Sequence, residues 1–248
     1  LCIYMTVKAF IRAAKRLMSC SIQANYSRGL DMTPRARYKG MAHTFDQILD
    51  LARASGFEAA AKAYYEQRRR GDAALERLQT QTKKEIERCI QDTDCMGMHK
   101  MVFRVVPASS FSAKTHLTGE SDIDFAVLVK RIDTNKVVCA SNGLGGCGFI
   151  YNDLRNPESP RHVHWVFQKF VNGVELEAKV RDDDGFKEIL KLHDYLDHHM
   201  SQDTRELVTY VKHLFKTHDR KGYDEFKQFY YSQAGYHGGT KELLYPLR

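Results

Sequence analysis

Residues 109–128 read SSFSAKTHLTGESDIDFAVL, and the part of this stretch that carries chemistry is the pair Asp122 and Asp124. The order Asp122, Ile123, Asp124, Phe125, Ala126, Val127 alternates as a strand does, with successive side chains on opposite faces. The two carboxylates therefore share one face, while Ile123, Phe125 and Val127 turn the other way into apolar packing. Carboxylates on one face repel unless something positive lies between them, and a hard, oxygen-seeking ion such as Mg²⁺ or Mn²⁺ meets that need. Upstream, the small hydroxyl residues Ser109, Ser110 and Thr115 can turn N–H and O–H groups toward phosphate oxygens. Together the two halves describe a site for a metal-bound triphosphate. The Asp-x-Asp pair alone carries little weight, because solvated strands often contain one.

The wider spacing resembles the polymerase-beta-like nucleotidyltransferase superfamily. There a Gly-Ser pair at a helix start is followed by an Asp-x-Asp strand. The closest similarity is to the oligoadenylate-synthase and poly(A)-polymerase branches, whose pattern continues Thr-x-Leu-x-Gly-x-Ser-Asp-x-Asp. Thr115, Leu117, Gly119, Ser121, Asp122 and Asp124 stand in register with it, and Ser109 takes the place of the glycine. The resemblance implies an α+β fold, with a palm-like mixed sheet flanked by N-terminal and C-terminal helices. It also implies a third carboxylate on a later strand, after a Gly-hydrophobic-x-hydrophobic lead. Gly173-Val174-Glu175-Leu176-Glu177 places Glu177 there, with Glu175 on the same face as the fallback. Asp122, Asp124 and Glu177 are then the implied metal ligands and catalytic residues. Ser109, Ser110 and Thr115 are expected to contact nucleotide, and so are Lys212 and Lys216 from a helix similar to one that presents lysine to the triphosphate.

The implied activity is transfer of a nucleoside monophosphate from an NTP to a hydroxyl, on RNA or a nucleotide, with release of pyrophosphate. The alternative is a catalytically silent nucleotidyltransferase fold that binds nucleotide or a partner. Ser109 and Glu177 depart from the pattern toward that alternative, whereas the intact Asp122 and Asp124 point away from it.

These residues need elements to position them. Thr44 and Gln47 fit a capping box opening a helix after Met41, and residues 57–70 and 73–90 continue as charged amphipathic helices. Residues 101–106 alternate as a strand that Pro107 should end. The glycines of 141–148 follow neither a dinucleotide nor a P-loop pattern and read as a flexible loop. Residues 162–180 read as a hairpin turning at Asn172-Gly173, and its His162 and His164 read as exposed strand histidines. Helices are expected over 186–199, 204–217 and 223–232. The predicted organisation is a basic N-terminal arm (1–40), a catalytic domain (41–200) and a C-terminal helical segment (201–248). That last segment is shorter than the helical region those branches carry, which fits either a fragment or a minimal transferase.

Of 38 basic and 31 acidic residues, eight and one fall in 1–40, leaving 30 of each in the remainder. The +7 surplus is thus local to the arm, and a chain-wide electrostatic grip on nucleic acid is not indicated. From Met5 the arm is basic and begins without acids, a composition that fits a solvated arm, a leader or a mitochondrial presequence. The six cysteines form no C-x-x-C pair and read as reduced thiols. No signal peptide is evident, and no apolar run approaches the roughly 20 residues of a membrane span. The expected setting is therefore intracellular and cytoplasmic, with the mitochondrion as the alternative.

Overall fold

The alternation after Asp122 forms β2 (Ile123–Val129), near the middle of a five-stranded sheet. The structure, a computed structural model, describes residues 6–27, 34–93, 103–112, 114–117, 122–129, 134–152, 165–181, 190, 194–195 and 199–232. The other strands are β1 (Phe103–Ala108), β3 (Ile150–Tyr151), β4 (Trp165–Val171) and β5 (Val174–Arg181), in the order β1-β2-β5-β4-β3. β2 and β5 run parallel, and the remaining neighbours pair antiparallel. The fold class is α+β with a mixed sheet.

The hairpin is the one expected. Asn172 (φ 50°) and Gly173 (φ 81°) both adopt the left-handed conformation that a tight two-residue turn between twisted strands requires. β1 differs from expectation, since it runs through Pro107, which pairs with Phe125, to Ala108. Proline donates no hydrogen bond, but β1 is an edge strand and can leave that position unpaired on its open side.

One face of the sheet is apolar. Val105, Ile123, Phe125, Val127, Phe167, Leu176, Ala178 and Val180 pack there with Ile86 and Ile90 of α4 (Asp72–Gln91) and Ala140 and Leu144 of α6 (Thr134–Gly146). The glycine-rich stretch expected as a loop is thus mostly helix. Its reason lies at Gly143, where a Cβ would stand 2.9 Å from Ile90 Cα and 3.0 Å from Thr93 Oγ1. Glycine lets the two helices approach more closely than any side chain would allow. The same approach brings Cys89 and Cys147 to a Cα separation of 6.0 Å, within disulfide range. These two cysteines, expected as reduced thiols, are joined. A four-residue helix, α5 (Ser109–Ser112), follows β1 directly.

The chain divides into two compact units, a sheet unit (Gly71–His193 with Gly238–Arg248) and a helical unit (Leu1–Arg70 with Asp194–His237). Residues 41–70, expected with the catalytic domain, therefore belong with the terminal helices. The helical unit holds α1 (Val7–Ser27), α2 (Pro34–Ala54), α3 (Glu58–Arg69), α7 (Gln202–His218) and α8 (Arg220–Ser232). Part of the expected N-terminal arm forms a packed helix: Phe10, Ala14 and Met18 of α1 are fully buried, and α1 packs on α2, α7 and α8. Its basic side chains Lys8, Arg12, Lys15 and Arg16 line a surface pocket of about 660 Å³ with His218 and Asp219. α2 begins at Pro34, well before the expected cap, so Thr44 lies within the helix and its hydroxyl donates to Gly40 O at 3.1 Å. Proline suits a helix start because the first N–H groups have no intrahelical partner. α7 is capped by Ser201, whose Oγ accepts from the Thr204 amide. No helix among the described residues is long and apolar enough to cross a membrane.

Candidate active site

The second face of the sheet is polar, and its register brings together residues far apart in sequence. β5 lies between β2 and β4, and Asp124 of β2 stands directly opposite Glu177 of β5. Across a parallel pair the strands are about 4.8 Å apart, so the two side chains, on one face, emerge as immediate neighbours. Asp124 is 4% exposed and Glu177 2%. Glu175, the fallback, sits two residues nearer the hairpin turn and accepts from the Gln168 side chain, whose oxygen in turn accepts from Asn152. Register therefore singles out Glu177 as the neighbour of Asp124.

Between the two carboxylates lies Lys179. Its Nζ is 3.2 Å from Asp124 Oδ1 and 2.5 Å from Glu177 Oε1. The arrangement follows from strand geometry: Lys179 is two residues beyond Glu177 on the same face, and opposite it Ala126 presents only a methyl group. Burial works against the ammonium, but Asp124 and Glu177 more than offset it and hold Lys179 above the ordinary lysine range. One step further along the face, Arg181 is opposite Leu128 and buried.

Asp122 precedes β2 and is half-buried. Among the described residues, no group of three or more His, Cys, Asp or Glu side chains is placed to hold a metal ion. Two of the three expected ligands are thus brought together, with a lysine drawn to them. The donors themselves suit a divalent cation in kind, being hard oxygens whose buried negative charge requires a positive partner.

The expected phosphate turn is partly accounted for. Ser109 opens α5, and Ser110 O accepts the Thr115 amide at 2.8 Å, while Phe111 O accepts the Lys114 amide at 2.9 Å. Those two amides are taken up by carbonyls of the turn itself. Thr115 is fully buried, and Lys114 takes a left-handed conformation at φ 55°. Gly119 and Ser121 lie outside the described residues, as do His162, His164 and most of the expected helix over 186–199.

Two further residues brace the turn. His116, 2% exposed, places Nε2 2.8 Å from Asp72 Oδ1 in the first turn of α4, and its ring packs on Phe111 with centroids 4.6 Å apart. The motif is thereby tied to α4 across 44 residues of sequence. Neither this pair nor Lys179 emerged from the sequence. Lys179 had a visible signal, since it alternates with Glu175 and Glu177 on one strand face, whereas nothing local marks Asp72 as a partner for His116.

Lys212 and Lys216 belong to the helical unit. Lys212 is 1% exposed with its ammonium 5.8 Å from the Tyr230 ring, and the Lys216 ammonium is 5.7 Å from the Tyr223 ring. Both thus have aromatic neighbours within their own unit. Compared with known proteins, the chain matches no family model and no curated protein sequence.

Proposed function

We propose that the chain is a divalent-metal-dependent nucleotidyltransferase of the polymerase-beta-like kind, moving a nucleoside monophosphate from an NTP to a hydroxyl on RNA or a nucleotide. The observation that carries this reading is the register of β2 and β5. It sets Asp124 of the Asp-x-Asp strand beside Glu177, 53 positions later, on the polar face of a mixed sheet. Asp122, Asp124 and Glu177 would hold Mg²⁺ or Mn²⁺. When bound, such ions acidify the acceptor hydroxyl and neutralise charge on the triphosphate and departing pyrophosphate. The protein's part is positional. Hydrogen-bonded neighbours fix β5 on both sides, so the Glu177 backbone cannot shift away from Asp124, and His116 with Asp72 braces the turn that precedes β2.

A second reading, a catalytically silent fold that binds nucleotide or a partner, is favoured by one observation: a lysine ammonium already contacts both Asp124 and Glu177 and offsets part of their charge. The two separate on incubation of the protein with each labelled NTP, Mg²⁺ or Mn²⁺ and an RNA pool. Wild type is expected to release pyrophosphate and incorporate label, and Asp122→Ala with Asp124→Ala to do neither. Incorporation retained by the double variant removes the site assignment. Absence of pyrophosphate release under every condition supports the silent fold.

A further inference from the structure

Asp124 and Glu177 project from adjacent parallel strands and are almost wholly buried, so their mutual repulsion is poorly screened by water. The strand register leaves the backbone no means of relieving it, since β5 is hydrogen-bonded on both sides. A cation is therefore required whether or not a metal is bound, and the chain provides one in Lys179, in contact with both carboxylates.

Lys179 differs from its two partners in freedom. Its side chain is 29% exposed, whereas those of Asp124 and Glu177 are 6% and 3% exposed. An unbranched lysine with a partly open path can swing its ammonium to water while its stem stays on the sheet, but the carboxylates have no comparable escape. A divalent ion brings two charges to the same oxygens, and Lys179 is a competitor there with a path along which it can be displaced.

We propose that Lys179 is a resident counter-ion of the Asp124–Glu177 pair, one that an incoming divalent cation must displace, so that it sets the metal concentration at which the site fills. This rests on the metal-binding reading above and adds to it a regulatory element of the site. With metal absent, Lys179 keeps the two strands stable against their own charges. With metal abundant, it moves to solvent. The site thus exchanges one cation for another and is never left with two unpaired buried carboxylates.

The test uses the full chain stripped of metal, with Mn²⁺ as the probe and binding followed by calorimetry and by the electron-spin signal of free Mn²⁺. Lys179→Met, which keeps the stem and removes the charge, is expected to bind Mn²⁺ about tenfold or more tightly than wild type, because removing a competing charge at contact distance is worth more than 1.4 kcal/mol. Lys179→Arg, which retains the charge, should stay close to wild type, and Asp124→Asn should abolish binding. Unmutated protein supplies an independent measurement if Lys179→Met does not fold. Acylation of Lys179 by an amine-directed reagent, read by peptide mass spectrometry, should accelerate when Mn²⁺ is added. Lys179→Met binding no more tightly than wild type, or Lys179 reactivity unchanged by Mn²⁺, overturns the counter-ion role while loss of binding in Asp124→Asn leaves the metal site standing. Binding unaffected by Asp124→Asn, or no Mn²⁺ bound by any form, overturns the metal site together with this inference.

Discussion

Replacing Gly143 by alanine sets two effects of opposite sign against each other at a position that supports the sheet from its apolar side. Gly143 lies within α6, and glycine in a helix interior costs about 1 kcal/mol relative to alanine, so propensity alone favours the substitution. The packing opposes it. A Cβ built on Gly143 stands 2.9 Å from Ile90 Cα, 3.0 Å from Thr93 Oγ1 and 3.1 Å from Cys89 O. None of these neighbours yields easily: two are backbone atoms, and Thr93 Oγ1 is held by its own bond to Cys89 O at 2.6 Å. α4 and α6 must move apart, disturbing the contacts of Ile86, Ile90, Ala140 and Leu144 with the sheet. Overpacking of this kind costs about 1–3 kcal/mol, so after the helix gain the net expectation is a loss of about 0–2 kcal/mol. The same helix contains a control in Gly145, where an added Cβ has nothing within 4 Å and the backbone is not left-handed. Gly145→Ala should gain up to about 1 kcal/mol, less if the helix end frays. Urea unfolding of the three proteins, compared by midpoint at unchanged slope, measures both shifts. Gly143→Ala more stable than wild type, or as stabilising as Gly145→Ala, would refute the close-approach argument.

Two further outcomes follow from pairs outside the site. Replacing Cys89 and Cys147 together by serine, which opens a span of 58 residues, should lower the stability of the sheet unit by about 4 kcal/mol if loop-closure entropy dominates, as urea unfolding of the variant beside wild type will show. Asp219 is paired with Lys15 at 2.6 Å and accepts from the Gly222 amide at 3.1 Å; burial opposes its charge, but these contacts prevail and hold its carboxyl below the ordinary range. Its stabilisation is therefore present above the ordinary carboxylate pKa of about 4 and lost as pH falls through the depressed value. Asp219→Asn should flatten that part of the acid-side decline in stability, and a decline as steep as wild type's would show that the pair contributes nothing.

Much of the candidate site was legible because its signals are local. Strand alternation placed Asp122 and Asp124, the Asn172-Gly173 turn set the hairpin, and the hairpin's alternation put Glu175 and Glu177 on one face. The misreadings share a cause. Thr44, Pro107 and Gly143 were judged by what each residue does to its own segment, whereas their outcomes depend on a helix begun ten residues earlier, an edge position and a neighbouring helix. The packing of α1 likewise draws on partners from the far end of the sequence, in α7 and α8.

By itself the sequence determined which side chains share a face, since backbone periodicity is a property of the segment alone. It did not determine which faces meet. The pairing of β2 with β5 selected Glu177 over Glu175 and brought Lys179 to two carboxylates, and a separate contact with α4 seated His116 on Asp72. Those outcomes are long-range, because register and helix approach are decided by the packing of the whole core and leave no mark at the spacing of a single strand or helix.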